Sequence, residues 1–157
     1  MNRLYFLLII FIPLLCFAQE DPFRNAVNDY VAQKTATEKL RSNLILAMEK
    51  RVISAPSEAT KEIDQLLPIS RKLKDRIMEV NLMRIKAASY FYQSKFSTTE
   101  QVGQQAYQLA ERYNVQSEMP RILATIGNAL VYQSKLIEGL ETQNKGLKIA
   151  EKLKDKH

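Results

Sequence analysis

Tyr92-Gln93-Ser94-Lys95 recurs unchanged at Tyr132-Gln133-Ser134-Lys135, and Ile69-Ser70-Arg71-Lys72-Leu73-Lys74-Asp75 recurs in altered form as Ile149-Ala150-Glu151-Lys152-Leu153-Lys154-Asp155. The first echo runs from position 92 to 132 and the second from 69 to 149, twice that interval, so one period of about 40 residues accounts for both. Self-similarity at a fixed period of this length marks one supersecondary unit, copied and stacked because a single unit cannot bury its own apolar face. The job such an architecture implies is holding something.

Away from these strings the chain reads as helices. Glycine (4) and proline (5) are scarce, and no stretch shows the period-2 pattern of a strand. Three helical pairs are expected, with first helices near residues 37–53, 76–94 and 118–133 and second helices near 58–74, 98–113 and 137–154. The breaks at Ser54-Ala55-Pro56-Ser57, Lys95-Phe96-Ser97 and Ser134-Lys135 are short enough to make the partners antiparallel. Ser97-Thr98-Thr99-Glu100 reads as a capping box that starts the middle second helix. Pro68 should kink the helix that contains it near Leu67. Ahead of the pairs, Asp21-Pro22 reads as an N-cap and first turn, and Phe23, Ala26, Val27, Tyr30 and Val31 form the stripe of one amphipathic helix across the open end of the first repeat. The fold class is therefore all-α, with segments 19–36 (N-terminal helix), 37–76, 77–116 and 117–157.

The chain begins with Arg3, an apolar run from Leu4 to Leu15, then Cys16-Phe17-Ala18 before Gln19-Glu20-Asp21. That order is the signature of a secretory signal peptide over residues 1–18 cut after Ala18, the alternatives being an uncleaved anchor or lipid attachment at Cys16. Cleavage would leave positions 19–157, long enough for a real core, and would remove the sole cysteine. Cohesion would then come from packing rather than disulfides. The whole chain carries 23 basic against 17 acidic residues, and losing Arg3 makes the net charge +5. Interleaving, as in Arg71-Lys72-Leu73-Lys74-Asp75-Arg76, reads as solvated helix faces rather than a nucleic-acid surface, with an anionic envelope polymer as the alternative partner.

Catalytic chemistry has little to work with. The single histidine is the last residue, His157, so no histidine base, triad or histidine metal site is expected, and no phosphate loop or calcium-loop spacing occurs. Glu58, Glu62 and Asp64, or Glu138 and Glu141, read as solvated helix faces. No enzymatic activity and no cofactor are expected.

Helix, turn, helix at this period resembles the tetratricopeptide repeat (TPR) in a long variety of about 40 residues. Ala87 and Gly127 match its small residues in the first helix, Tyr90 and Leu130 its bulky ones three positions later, and Ala106 and Gly146 its small residues in the second helix, followed by Ala110 and Ala150. Ala47 fits the first pair, where Lys50, Leu66 and Ser70 depart from the pattern. The resemblance implies an α-solenoid that binds a protein or peptide. Exported segments of this kind look like the sensory portions of bacterial signalling receptors.

In that family the first helices line a concave groove. Carried over, its lining is Asn81, Arg84, Ala88, Phe91 and Tyr92, then Arg121, Ala124, Asn128, Val131 and Tyr132. Two cations, two amides and three rings suit an extended peptide with an acidic group, although Tyr92 and Tyr132 also fit as residues that close their turns. The register further makes Ile69, Leu109 and Ile149 equivalent, and likewise Leu73, Tyr113 and Leu153. With nothing expected to cover the third pair, Ile149 and Leu153 are candidates for an exposed C-terminal interface, and self-assembly there is the alternative function.

Overall fold

The computed structural model describes residues 21–32 and 37–154; the signal-peptide reading of residues 1–18 and the terminal His157 fall outside them. Among the described residues the protein is all-helical: α1 (Pro22–Ala32), α2 (Glu38–Ser54), α3 (Pro56–Lys72), α4 (Arg76–Tyr92), α5 (Phe96–Tyr113), a 3-10 turn (Gln116–Glu118), α6 (Met119–Tyr132) and α7 (Leu136–Lys154). The expected helices are all present, with ends displaced slightly. Each helix packs on its neighbour in sequence, and α4 also touches both α2 and α6. No described helix is long and apolar enough to cross a membrane.

The sequence period is visible in the backbone. Lys74, Ser94, Asn114 and Ser134, evenly spaced at half that period, all have left-handed φ of 55° to 65° and end α3, α4, α5 and α6. In each case the next residue donates its N–H to a carbonyl five positions back: Asp75 to Ser70, Lys95 to Tyr90, Val115 to Ala110 and Lys135 to Leu130. This is a Schellman closure, which satisfies the last carbonyls of a helix and turns the chain sharply. Of the helices from α2 to α6, α2 alone ends otherwise, since Ala55 has φ −150° and Pro56 starts α3 at once.

The repeated string thereby acquires its physical meaning. Its serine takes the left-handed position, its lysine donates the closing bond, and its glutamine reaches back to the preceding pair. Gln93 Nε2 donates to Thr60 Oγ1 at 3.1 Å, and Gln133 Nε2 donates to Glu100 Oε2 at 2.9 Å. Thr60 and Glu100 are themselves one full period apart.

Two apolar clusters form the core. One gathers Tyr30, Leu44, Met48, Ile63, Leu66, Met78 and Leu82 from α1 to α4, and the other Val80, Ala106, Ala110, Ile122, Ile126 and Leu130 from α4 to α6. Helix α4 is shared, with buried residues on both sides. Helix α1 caps the first cluster as expected: Ala26 and Tyr30 are buried, and Asp21 Oδ1 accepts from the Phe23 N–H. Tyr30 donates to Asp75 Oδ2, and Asp75 also caps α4 through the Met78 N–H and pairs with Arg41. Burial, and then the Asp75 charge, push the Tyr30 hydroxyl well above its usual pKa.

Two local expectations are corrected. The capping box is not used: α5 starts at Phe96 with no side-chain cap, Thr99 is buried and donates to the Lys95 carbonyl, and Glu100 is occupied by Gln133 and Lys135. The residue that follows the Schellman closure at Ser94 is Lys95, whose ammonium cannot accept an amide N–H, whereas Asp75 after the same closure at Lys74 caps α4. Ile149 and Leu153 do not stand open to water. They are half-buried like their equivalents Ile69, Leu109, Leu73 and Tyr113, and Ile149 packs on the second cluster. Pro68, for its part, does not end α3, which runs on to Lys72.

Candidate interaction surface

The groove residues inferred from the repeat register separate into an ionic end and an aromatic end. At the ionic end α2 contributes Glu49, α4 contributes Asn81 and Arg84, and the start of α6 contributes Glu118 and Arg121. Arg84 Nη2 donates to Glu49 Oε1 at 2.7 Å and to Asn81 Oδ1 at 3.0 Å, while its Nε faces Glu118 Oε2 at 3.1 Å as a charge pair. Arg121 Nη2 donates to the same Glu49 oxygen, and Asn81 Nδ2 donates to the Ile77 carbonyl. One carboxylate thus joins the three helices.

Electrostatics follow from that placement. Burial alone would raise the Glu49 pKa, but hydrogen bonds from and charges on Arg84 and Arg121 outweigh it and hold the carboxyl below its ordinary value. Burial, then the nearby Arg121 charge, lower the Arg84 pKa. Asn81 and Arg84, expected as open groove lining, are buried at 1% and 5% exposure. Their polar atoms serve the fold, and only Arg121 keeps a half-exposed side chain.

At the aromatic end, Phe91 and Tyr92 finish α4, Phe96 starts α5 and Tyr132 finishes α6. The Tyr132 ring stacks on Phe96 at 4.8 Å and meets Phe91 edge-on at 5.3 Å, with Phe91–Phe96 at 5.5 Å and Phe91–Tyr92 at 6.2 Å. Phe91 and Phe96 are half-buried, whereas Tyr92 and Tyr132 stand 53% and 64% exposed. Offset and edge-to-face pairs of this kind fix ring orientation beyond what burial alone does. The result is a rigid apolar surface with two phenolic rims.

Between the two ends lie half-buried Ala88 and exposed Ala124 and Asn128, and Asn128 Oδ1 accepts from Gln143 Nε2 at 2.8 Å. Val131 is half-buried against the start of α7. Glu49, Glu118 and Phe96 were not legible as members of this surface. The two acids resemble every other acid on a solvated face, and Phe96 stood in a stretch read as a turn. One signal for Phe96 was available, since the equivalent residue Leu136 is also apolar. No group of three or more His, Cys, Asp or Glu side chains among the described residues is arranged to hold a metal ion.

Comparison of the chain with protein-family models, with curated proteins and with solved structures finds no significant match in any of the three.

Proposed function

We propose that this chain is an exported, non-enzymatic scaffold of the TPR type, an α-solenoid of three antiparallel pairs, that binds a protein or peptide along the α4–α6 face, as the sensory portion of a signalling receptor would. The observation that carries the reading is the ordered ring cluster Phe91, Tyr92, Phe96 and Tyr132, which leaves two tyrosines largely in water. Large apolar side chains held rigid at a surface are typical of recognition sites, because they supply contact area at little entropic cost. The TPR reading is supported by the repeated strings and by left-handed helix ends at four successive half periods, Lys74, Ser94, Asn114 and Ser134.

The ligand class shifts from the one the sequence suggested. An acidic group entering near Arg84 or Arg121 would have to displace the chain's own Glu49 and Glu118. An extended segment with apolar or aromatic side chains fits the ring cluster without that competition. Pull-down from the cell envelope with wild type and with Tyr92→Ala/Tyr132→Ala tests this, and Arg121→Glu serves as the ionic control. The ring variant should lose a partner that wild type and the control retain, while keeping the helical circular dichroism of wild type. Equal recovery of every partner by all three would sink the reading. Arg84 is unsuitable as a probe because it is buried in a charge network.

A further inference from the structure

The acids interleaved with Lys72, Lys74 and Arg76 in the sequence do not neutralise them in space. Asp75 is buried, where it accepts from the Tyr30 hydroxyl and the Met78 N–H and pairs with Arg41. Glu79 is buried as well, accepting from Arg71 Nε at 2.7 Å and from the Tyr113 hydroxyl at 3.1 Å. Glu118 is largely buried against Arg84. The fold consumes these acids and leaves the cations in water.

Those cations gather at one edge of the molecule, where α3, α5 and α7 end and α4 and α6 begin. Arg76 lies 5.2 Å over the Tyr113 ring, and the 3-10 turn before α6 touches both α5 and α7. Lys72 and Lys74 stand at the end of α3, Arg112 at the end of α5, and Lys152 and Lys154 at the end of α7, all exposed. None of the five side chains makes an ion pair or hydrogen bond with any described residue. The acids exposed at this edge, Asp29, Glu38, Glu111 and Glu151, are outnumbered, since Lys39, Arg71 and Arg76 are exposed there too.

The repeat register singles out the same place. Lys72, Arg112 and Lys152 are equivalent, and no other position in the period carries the same charge in all three pairs. A helix dipole favours a cation in the last turn. It would do so equally at the opposite edge, yet α4 and α6, which end there, have no basic residue in that turn. The opposite edge is also balanced: Lys135 pairs with Glu100 and Arg51 with Glu62, while Lys50, Lys61 and Lys95 are matched by the exposed Glu58, Glu138 and Glu141.

We propose that the edge formed by the ends of α3, α5 and α7 binds a linear acidic polysaccharide, laid along the stack across Lys72, Arg112 and Lys152. Stacked copies present equivalent side chains at regular intervals, so a polymer with an anionic group in each short repeat can meet them in turn. A bilayer fits less well, because Val31 and Ile77, the large apolar side chains exposed at this edge, are each more than half covered and supply no wedge to enter lipid. A nucleic acid strand would want open rings for its bases, and Tyr113 is half-buried beneath Arg76. The ring cluster lies at the opposite edge, so the proposal stands independently of peptide binding.

The test follows binding of the full chain to fluorescein-labelled dextran sulfate by anisotropy, with neutral dextran as the blank and phosphatidylglycerol vesicles as the lipid arm. Wild type should bind dextran sulfate, ignore neutral dextran and weaken steeply as salt rises, because exposed charges are screened over about 8 Å at physiological ionic strength. Lys72→Gln/Arg112→Gln/Lys152→Gln should weaken binding about tenfold, as the joint loss of three exposed charge contacts would. Lys50→Gln/Lys61→Gln/Lys95→Gln removes the same charge from the opposite edge and should weaken it less than about threefold. Both variants should keep the helical circular dichroism of wild type. Equal losses in the two variants, no binding by wild type, or binding indifferent to salt would each overturn the proposal. So would an edge variant that loses its hold on the vesicles while keeping dextran sulfate.

Discussion

In the first pair, α2 and α3 touch along little of their length, across an Arg51–Glu62 ion pair and a buried Leu66. In the third, α6 and α7 make the most extensive contact in the molecule and cross at glycines. A Cβ on Gly127 would lie 2.5 Å from Gln143 Cγ and 2.9 Å from the Gly139 carbonyl, and one on Gly146 would lie 3.2 Å from Leu123 Cβ. The residues of the first pair at the same register positions are Ala47 for Gly127, Ala59 for Gly139 and Leu66 for Gly146. One repeat unit therefore tolerates two helix separations, with the side chains at the crossing deciding which is adopted. Leu66 is a wedge where its counterparts are a hydrogen atom or a methyl group.

The largest test of that contrast inserts bulk at the same position in both pairs. Gly127→Val should destabilise by about 3 kcal/mol in urea unfolding, because the new atoms meet backbone that cannot move aside. Ala47→Val, at a half-exposed site in the open first pair, should cost under about 1 kcal/mol. Similar values for the two would remove the contrast. Leu66→Ala asks the converse question, and thermal and urea unfolding should show a loss of about 2.5 kcal/mol. A neutral result would mean that α3 settles onto α2 once the wedge is gone.

A smaller effect concerns the carboxylate that bridges α2, α4 and α6. Glu49 has a lowered pKa in the folded chain, so its contribution is fully present above its unfolded value and is lost as pH falls through the folded one. Stability measured from neutral pH into the acid range should fall less steeply in Glu49→Gln than in wild type. At neutral pH that variant should be weaker by about 1.5 kcal/mol, since Arg84 loses a charged partner while buried. The smallest change is stabilising. Ser94→Gly and Ser134→Gly should each add up to about 1 kcal/mol by relieving left-handed strain, as the midpoint of unfolding would report. Ala55→Gly, at the turn with no left-handed residue, should add nothing.

Legibility of the fold tracked how local its causes are. The helices, their pairing and the helix over the first cluster follow from periodicity and from close neighbours in the chain, while the buried small residues at Ala87, Ala106, Gly127 and Gly146 were expected from the family resemblance. The failures share the opposite origin. A groove reading treats Arg84 and Arg121 as free cations because nothing near them in the sequence reveals that Glu49, 35 and 72 residues away, sits between them. The expected interface at Ile149 and Leu153 assumed that the next pair covers those positions, whereas the exposed face of α7 lies elsewhere on the helix, through Ile137, Leu140 and Leu147.

The sequence by itself determined an all-helical chain with a single repeating period, because helix propensity, turn residues and apolar spacing act over one or two turns. Only the tertiary structure decided which polar residues are consumed internally and which apolar ones stay in water. Those outcomes depend on how closely neighbouring helices approach and how each is rotated about its axis, and both are set by side chains from different repeats meeting in space.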